Sequence, residues 1–282
     1  MLIGLGTAFV CLFIALSLFW RKRWVLASCL LALASTTVVG LTLRGDLQIA
    51  LADRLDFANT SVTVPQNTLS QEVEMVSLDE KVRLDVPIIG QYPELPRGCE
   101  VTALAMFLQA EGVSVDKMTL AEEVKKDLTQ KQVRNGKIFF GNPNEGFVGD
   151  MYDKSNPGYG VYHGPIFELA SRYLPGQIID ITGGTFEEVL TAVADGRPVW
   201  VITNATYDEL PPSAFEKWNT PQGEISITME EHSVVVSGFD EEFVYFHDSI
   251  TKTAYMKAPR AEFEAAWIQM GQQAITTLPD GE

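Results

Sequence analysis

The chain has 282 residues, of which 46% are hydrophobic and 21% charged, a composition too rich in core-forming side chains for a disordered protein. Its charge is unevenly distributed: residues 1–60 carry 5 basic and 3 acidic side chains, whereas residues 61–282 carry 16 and 34. Because nucleic-acid binding draws its affinity from Lys and Arg facing phosphates, the acidic part argues against a nucleic-acid partner.

The first 44 residues have the pattern of a transmembrane hairpin. Two uncharged runs, residues 2–20 and 24–43, contain 19 and 20 residues and are each long enough to cross a bilayer. Arg21, Lys22 and Arg23 separate the runs and are expected on the cytoplasmic side. The pattern therefore predicts a cell-membrane protein with both ends of the hairpin, and the chain that follows it, outside the cytoplasm.

A cleaved signal peptide is the alternative interpretation of this segment, with Ala50-Leu51-Ala52 as the cleavage site. That site lies seven residues beyond the second apolar run, which is an awkward distance for cleavage. Residues 45–80 are polar and show no sustained hydrophobic period, which is typical of a stalk or linker. We expect one folded domain over residues 81–282.

Within this domain the hydrophobic period changes from segment to segment. Residues 82–89 alternate as a strand does, and residues 99–110 have apolar side chains at helical spacing. Thr119 and Thr185 each open a capping-box pattern that predicts a short helix. Residues 129–162 hold six glycines and two prolines and are expected to form a long ordered loop.

The later segments predict two helices, two single strands and a hairpin. In chain order these are a helix at 164–173, strands at 177–181 and 198–203, a hairpin of 232–239 with 243–248, and a helix at 261–270. Helices that come first, with a sheet afterwards, indicate an α+β fold rather than a doubly wound parallel one.

Cys99 is the only cysteine outside the two apolar runs, so the domain has no partner for an intrachain disulfide. A lone cysteine is often a small buried hydrophobic residue. Cys99, however, opens a predicted helix, where free N–H groups and the positive end of the helix dipole favour a thiolate. We therefore expect its pKa to be lowered.

His232 begins an apolar strand and Asp248 ends the next one. Directly opposed residues of an antiparallel hairpin share a face of the sheet, so the two meet if the loop has an odd number of residues, such as 239–241. Asp248 would then orient one nitrogen of His232 while the other faces the thiol. The alternative for Asp248 is a strand-end turn residue. His247 points to the opposite face, and His163 is either a helix cap or a substrate contact.

Four segments resemble, in order, the C39-like cysteine peptidases: 86–91 (VPIIGQ), 98–106 (GCEVTALAM), 232–240 (HSVVVSGFD) and 246–248 (FHD). Residues 158–165 also resemble the membrane-anchored or secreted bacterial branch of that family. The resemblance covers about residues 82–275 and implies a papain-like fold, with a helical N-terminal part and a C-terminal antiparallel sheet. It further implies a triad of Cys99, His232 and Asp248, with Gln91 helping to form the oxyanion hole.

The expected function is therefore that of a membrane-anchored, extracytoplasmic cysteine peptidase acting on a peptide or protein. No dinucleotide, Walker or zinc motif is present in the sequence, so we expect neither a cofactor nor a metal. Two alternatives stay open. One is a cell-wall amidase or endopeptidase with the same triad, and the other is a non-catalytic peptide-binding module on a membrane tether.

Overall fold

The computed structural model describes residues 81–279. The predicted transmembrane hairpin (1–44) and linker (45–80) lie outside the described residues and stay predictions. Among residues 81–279, no helix combines the length and the apolar character that crossing a bilayer requires.

Five α-helices are present in the described part of the chain. They are α1 (Cys99–Ala110), α2 (Lys117–Glu123), α3 (His163–Tyr173), α4 (Phe186–Ala194) and α5 (Arg260–Gln269). The bounds of α1 are those that the apolar spacing predicts. The capping box at Thr185 is confirmed, because its side chain and that of Glu188 each bond the other's backbone N–H. The one predicted at Thr119 is wrong, because Asp116 caps α2.

Thirteen strands are present in residues 81–279. They are β1 (Val82–Arg83), β2 (Lys126–Asp127), β3 (Gln132–Arg134), β4 (Lys137–Phe139), β5 (Phe147–Val148), β6 (Ile178–Asp180), β7 (Val199–Asn204), β8 (Phe215–Thr220), β9 (Gly223–Thr228), β10 (Glu231–Phe239), β11 (Phe243–Asp248), β12 (Thr253–Pro259) and β13 (Ala274–Thr277). The strand predicted at 82–89 is thus only two residues long, and the predicted loop 129–162 contains three short strands.

The main sheet is antiparallel throughout and has the order β12-β11-β10-β7-β13-β6, with β1 also paired to β10. Successive residues of its central strands point to opposite faces. In β7, Trp200 and Ile202 pack in the core that contains α1, whereas Val199 and Val201 pack in the core that contains α4. Helices therefore cover both faces of an antiparallel sheet, which confirms the α+β class.

The hairpin of β10 and β11 does not have the odd loop that the sequence reasoning required. Phe239 pairs with Val244, and the N–H of Asp240 donates to the carbonyl of Phe243 at 2.9 Å, which leaves a loop of two residues. By itself an even loop would place His232 and Asp248 on opposite faces. A β-bulge between Val236 and Gly238 shifts the register by one residue. The shift returns the two side chains to one face.

Candidate active site

Cys99 is the first residue of α1 and is 7% exposed. Gly98 precedes it and offers no side chain to cap the helix, so no side chain competes for the N–H groups of the first turn. The first turn is fixed to the sheet by the indole N–H of Trp200, which donates to the carbonyl of Glu100 at 3.0 Å. The nucleophile candidate therefore lies on a rigid element with backbone donors beside it.

Asp248 holds His232 in place. Asp248 Oδ1 accepts from His232 Nε2 at 2.8 Å and from the N–H of Ile250 at 2.9 Å, while Oδ2 accepts from the N–H and hydroxyl of Thr251. Burial alone would raise the pKa of Asp248, but the bonds from His232 and Thr251 outweigh it and lower the pKa to about 2. Asp248 is thus both a turn residue and the partner of His232.

The second ring nitrogen of His232 has no partner, and His232 lines the same cleft as Cys99. An ionised carboxylate can only accept, so the shared proton lies on His232 Nε2 and a neutral ring has its lone pair on Nδ1. His232 Nδ1 is buried and has no hydrogen-bond partner in the described part of the chain. Cys99 and His232 both line a cleft of about 370 Å³. The arrangement can accept a proton from a thiol.

Aromatic side chains shield the His232–Asp248 bond from solvent. The ring of Tyr207 lies 6.2 Å from that of His232 and 4.5 Å from that of Phe246, between ring centroids. His232 and Asp248 are 0% and 1% exposed. Their bond is therefore made where competition from water is weak.

Gln91 also lines the cleft, but its amide hydrogens are occupied. Its Nε2 donates to the carbonyls of Leu95 and Pro96, both at 3.2 Å, and its Oε1 accepts from the hydroxyl of Ser249 at 2.9 Å. These bonds brace the turn that leads to Cys99. An oxyanion would have to compete with two carbonyls for the same donor, so no Gln91 N–H is free for the role that the resemblance implies.

The thiol of Cys99 donates to Glu100 Oε2 at 3.3 Å. Burial raises the pKa of Cys99 well above its usual value, and negative charge on either Glu100 or Glu231 raises it further. Only a hydrogen bond from the N–H of Ser233 works in the opposite direction. The expectation of a lowered pKa is therefore wrong for this arrangement, because the helix end is outweighed by burial and two carboxyl groups.

Sequence reasoning missed these two carboxyl groups. Glu100 is 0% exposed, and its Oε1 accepts from the N–H of Val161 at 2.7 Å. Burial raises the pKa of Glu100, and burial together with the charge of Glu100 raises the pKa of Glu231. The signal was present in the chain, because Glu100 directly follows Cys99 and Glu231 directly precedes His232.

Cys99, Glu100 and Glu231 are the only set among residues 81–279 whose donor atoms are close enough to share a metal ion, all within 4.8 Å of one another. Both oxygens of Glu100 already accept hydrogen bonds, one from Val161 and one from the thiol. The oxygens of Glu100 are therefore occupied by hydrogen-bond donors and are not arranged as open metal ligands.

The other two histidines lie elsewhere. His247 Nδ1 is 3.0 Å from the Ser237 hydroxyl, and burial lowers the pKa of His247 to about 4, so it is a neutral core residue. His163 begins α3 and its Nδ1 lies 2.6 Å from Asp180 Oδ2. His163 lines a different cleft, of about 290 Å³.

The fold combines helices with an antiparallel sheet. It places a cysteine at the start of a helix and a His–Asp pair on neighbouring strands, as expected of a C39-like peptidase. The chain belongs to the Peptidase_C39 like family, whose pattern it matches over residues 83–275. It is 44% identical over 195 residues to the uncharacterized protein YvpB of Bacillus subtilis strain 168, an alignment that spans 68% of this chain and 74% of YvpB. It is also 51% identical to a crystal structure from Bacillus anthracis classed provisionally as a C39-like peptidase, with a TM-score of 0.67, and the match covers 72% of this chain and all of that one.

Proposed function

We propose that this protein is a cysteine peptidase that hydrolyses a peptide or amide bond with Cys99, His232 and Asp248. The observation that carries the proposal is the His232–Asp248 bond, which leaves one nitrogen of His232 unpartnered in a residue that lines the same cleft as Cys99. Membership of a peptidase family supports the reaction type.

In the proposed reaction His232 Nδ1 takes the thiol proton as Cys99 Sγ attacks the carbonyl carbon. The charge that develops on the carbonyl oxygen is stabilised by the backbone N–H of Cys99, with Gln91 contributing only if it releases a carbonyl. His232 then gives its proton to the leaving amine, and the acyl group stays on sulfur. Water, deprotonated by the same nitrogen, releases the acid and restores the thiol.

Exposed apolar side chains lie around the cleft. Tyr92, Met229 and Ile250 line it and are 44%, 59% and 39% exposed. Large apolar side chains left in solvent around a concave site are typical of a surface that binds an apolar group. A peptide with bulky apolar residues beside the scissile bond would bury this rim.

We also propose that the enzyme is anchored in the cell membrane and acts outside the cytoplasm. The support is the sequence pattern of two uncharged runs around Arg21, Lys22 and Arg23, followed by a strongly acidic chain.

A non-catalytic binding module is the second candidate, favoured by the protonated thiol that donates to Glu100 rather than to His232. Such a module would bind peptides in the same cleft without cleaving them.

An electrophilic, thiol-directed activity probe distinguishes the two candidates. The full chain, purified in detergent, is treated with the probe and separately with a peptide pool and isolated cell-wall peptides. Probe labelling and hydrolysis should fall by about a hundredfold or more in His232→Ala and vanish in Cys99→Ala. His163→Ala is the matched control, because it removes a histidine outside the cleft. Peptide binding without turnover, equal in the wild type and Cys99→Ala, would leave only the binding module.

A further inference from the structure

Two carboxyl groups meet directly beneath the proposed nucleophile. Glu100 Oε2 accepts from the Cys99 thiol, and a carboxylate oxygen of Glu231 lies within 4.8 Å of both Cys99 Sγ and a Glu100 oxygen. Gly160 leaves the room for them, since a Cβ at that position would collide with Glu100 Oε1 and come within 2.9 Å of Glu231 Oε2. The backbone at Gly160 is therefore packed around the two carboxyl groups.

No cation balances this pair in the described part of the chain, where neither carboxyl forms an ion pair with Lys, Arg or His. The other titratable groups facing it are Cys99, from the same helix, and the hydroxyls of Tyr159 and Tyr162, which bond each other at 2.8 Å. Glu231 Oε1 is buried without a partner. Two buried carboxylates this close cannot both be ionised at low cost, so the pair retains a proton.

We infer that Glu100 is a positioning residue that keeps Cys99 in its thiol form in the resting site, and that Glu231 holds the proton that lets Glu100 accept from the thiol. The inference rests on the proposed function, because it assigns a control over the same nucleophile. Its physical basis is the negative charge placed against Sγ, which opposes formation of a thiolate. The thiol bond to Glu100 must open before His232 can take the proton.

The reactivity of Cys99 tests this directly and needs no substrate. The full chain in detergent is alkylated with iodoacetamide between pH 5 and 10, and modification of Cys99 is followed by mass spectrometry of its own peptide. Glu100→Gln keeps the side-chain shape and an oxygen that can accept from Val161, but removes the charge. At pH 7 its alkylation should be about tenfold faster or more than in the wild type, with the rate profile moved about one pH unit or more towards acid.

The matched control is Glu230→Gln, an acid on the same cleft that is not part of the pair, and its rate should stay within about twofold of the wild type. Glu231→Gln is a second variant. The amide introduced there can donate to Glu100 and keep it ionised, so alkylation at pH 7 should be no faster than in the wild type.

An unchanged or slower rate in folded Glu100→Gln would overturn the inference, and so would a tenfold rise in Glu231→Gln. If Glu100→Gln does not fold, the Glu231→Gln result decides alone. The expected shift in a chain that hydrolyses no peptide would contradict only the proposed function, whereas hydrolysis without the shift would contradict only this inference.

Discussion

At the scale of single residues, two carboxyl groups near one cleft, those of Asp248 and Glu231, behave differently because they have different partners. Asp248 accepts from His232, from two backbone N–H groups and from a hydroxyl, which lowers its pKa to about 2. Burial and the charge of Glu100 raise the pKa of Glu231, one oxygen of which has no donor. Burial raises the pKa of both acids, and the hydrogen-bond donors and charges beside each one decide the net direction.

Asp248→Asn should lower kcat/KM by about 10²- to 10⁴-fold. The amide can donate to His232 Nε2, which would move the ring proton to Nδ1 and remove the lone pair from the side of the thiol. The measurement is peptide hydrolysis by the purified full chain. Asp180→Asn is the control, because it changes the corresponding partner of His163 outside the cleft. A loss of the same size in the control would mean that the fold, rather than the tautomer, had been disturbed.

Glu231→Gln should change how stability depends on pH. Folding raises the pKa of this carboxyl above its value of about 4.3 in the unfolded chain. Such a group contributes fully to stability when the pH is below the unfolded-state pKa, and the contribution is lost as the pH rises through the folded-state pKa. The wild type should therefore lose stability relative to Glu231→Gln between pH 5 and pH 8, by about 1.4 kcal/mol for each unit of pKa shift. At pH 4 the two should differ least.

The measurement is the melting temperature of the full chain across that range, with Glu230→Gln as the control. Wild-type and Glu231→Gln curves that run parallel from pH 4 to pH 8 would show that Glu231 is not protonated by the fold.

At the scale of secondary-structure elements, the entry to α1 determines where Cys99 lies. The turn before it is braced by Gln91, and Gly98 packs against Leu95 so closely that a Cβ would lie 2.7 Å from Leu95 Cβ and 3.3 Å from Met151 Sδ. A Cβ next to the backbone cannot rotate away, so the turn itself would have to shift.

Gly98→Ala should therefore displace the nucleophile as well as strain the turn. We expect a loss of about 1–3 kcal/mol in the free energy of unfolding, as for other overpacked sites, and slower probe labelling of Cys99. Gly164→Ala is a suitable control, since the nearest atom to its added Cβ is at 3.7 Å. Thermal unfolding and labelling kinetics of both variants measure the effect. Equal behaviour of the two would mean that the turn adapts freely.

The same elements show what the sequence can and cannot predict. The apolar spacing of residues 99–110 predicts α1 correctly, although the structure buries residues 99–108 on every side of the helix and not on one face alone. His232 and Asp248 share a face as predicted, but they are not directly opposed and the loop is not odd, since a bulge at Ser237 has no local signature in the residues around it. Strands β8, β9, β12 and β13 were not predicted. In β8 and β12, polar and charged side chains interrupt the alternation, β9 has only two apolar residues, and β13 is only four residues long.

The prediction of a lowered pKa for Cys99 was wrong for a related reason. A helix N-terminus is a local feature and can be predicted from the chain around residue 99. The meeting of Glu100 with Glu231 depends on residues 131 positions apart being brought together by α1 and β10. Contacts of that range come from the packing of whole elements. The sequence places the two acids beside Cys99 and His232 but does not specify that they meet.

At the scale of the whole chain, the charge distribution and the uncharged runs predict where the domain acts. The domain sequence is acidic and the only dense basic cluster lies between the two runs. Because loops rich in Lys and Arg stay cytoplasmic, the hairpin interpretation requires residues 22 and 70 to lie on opposite sides of the membrane. The signal-peptide interpretation instead predicts that residue 22 is absent from the mature protein.

Single-cysteine labelling in intact bacterial cells separates these outcomes. In a background with Cys11, Cys29 and Cys99 all replaced by Ser, Ser70→Cys should react with a membrane-impermeant maleimide, whereas Lys22→Cys should react only after the cells are permeabilised. A mass measurement of the purified chain checks that residues 1–52 are retained. Reaction of Lys22→Cys in intact cells would reverse the orientation, and a mature chain that begins after Ala52 would replace the anchor with secretion. Protection of Ser70→Cys would place the domain inside the cell and contradict the proposal that the enzyme acts on extracytoplasmic peptides.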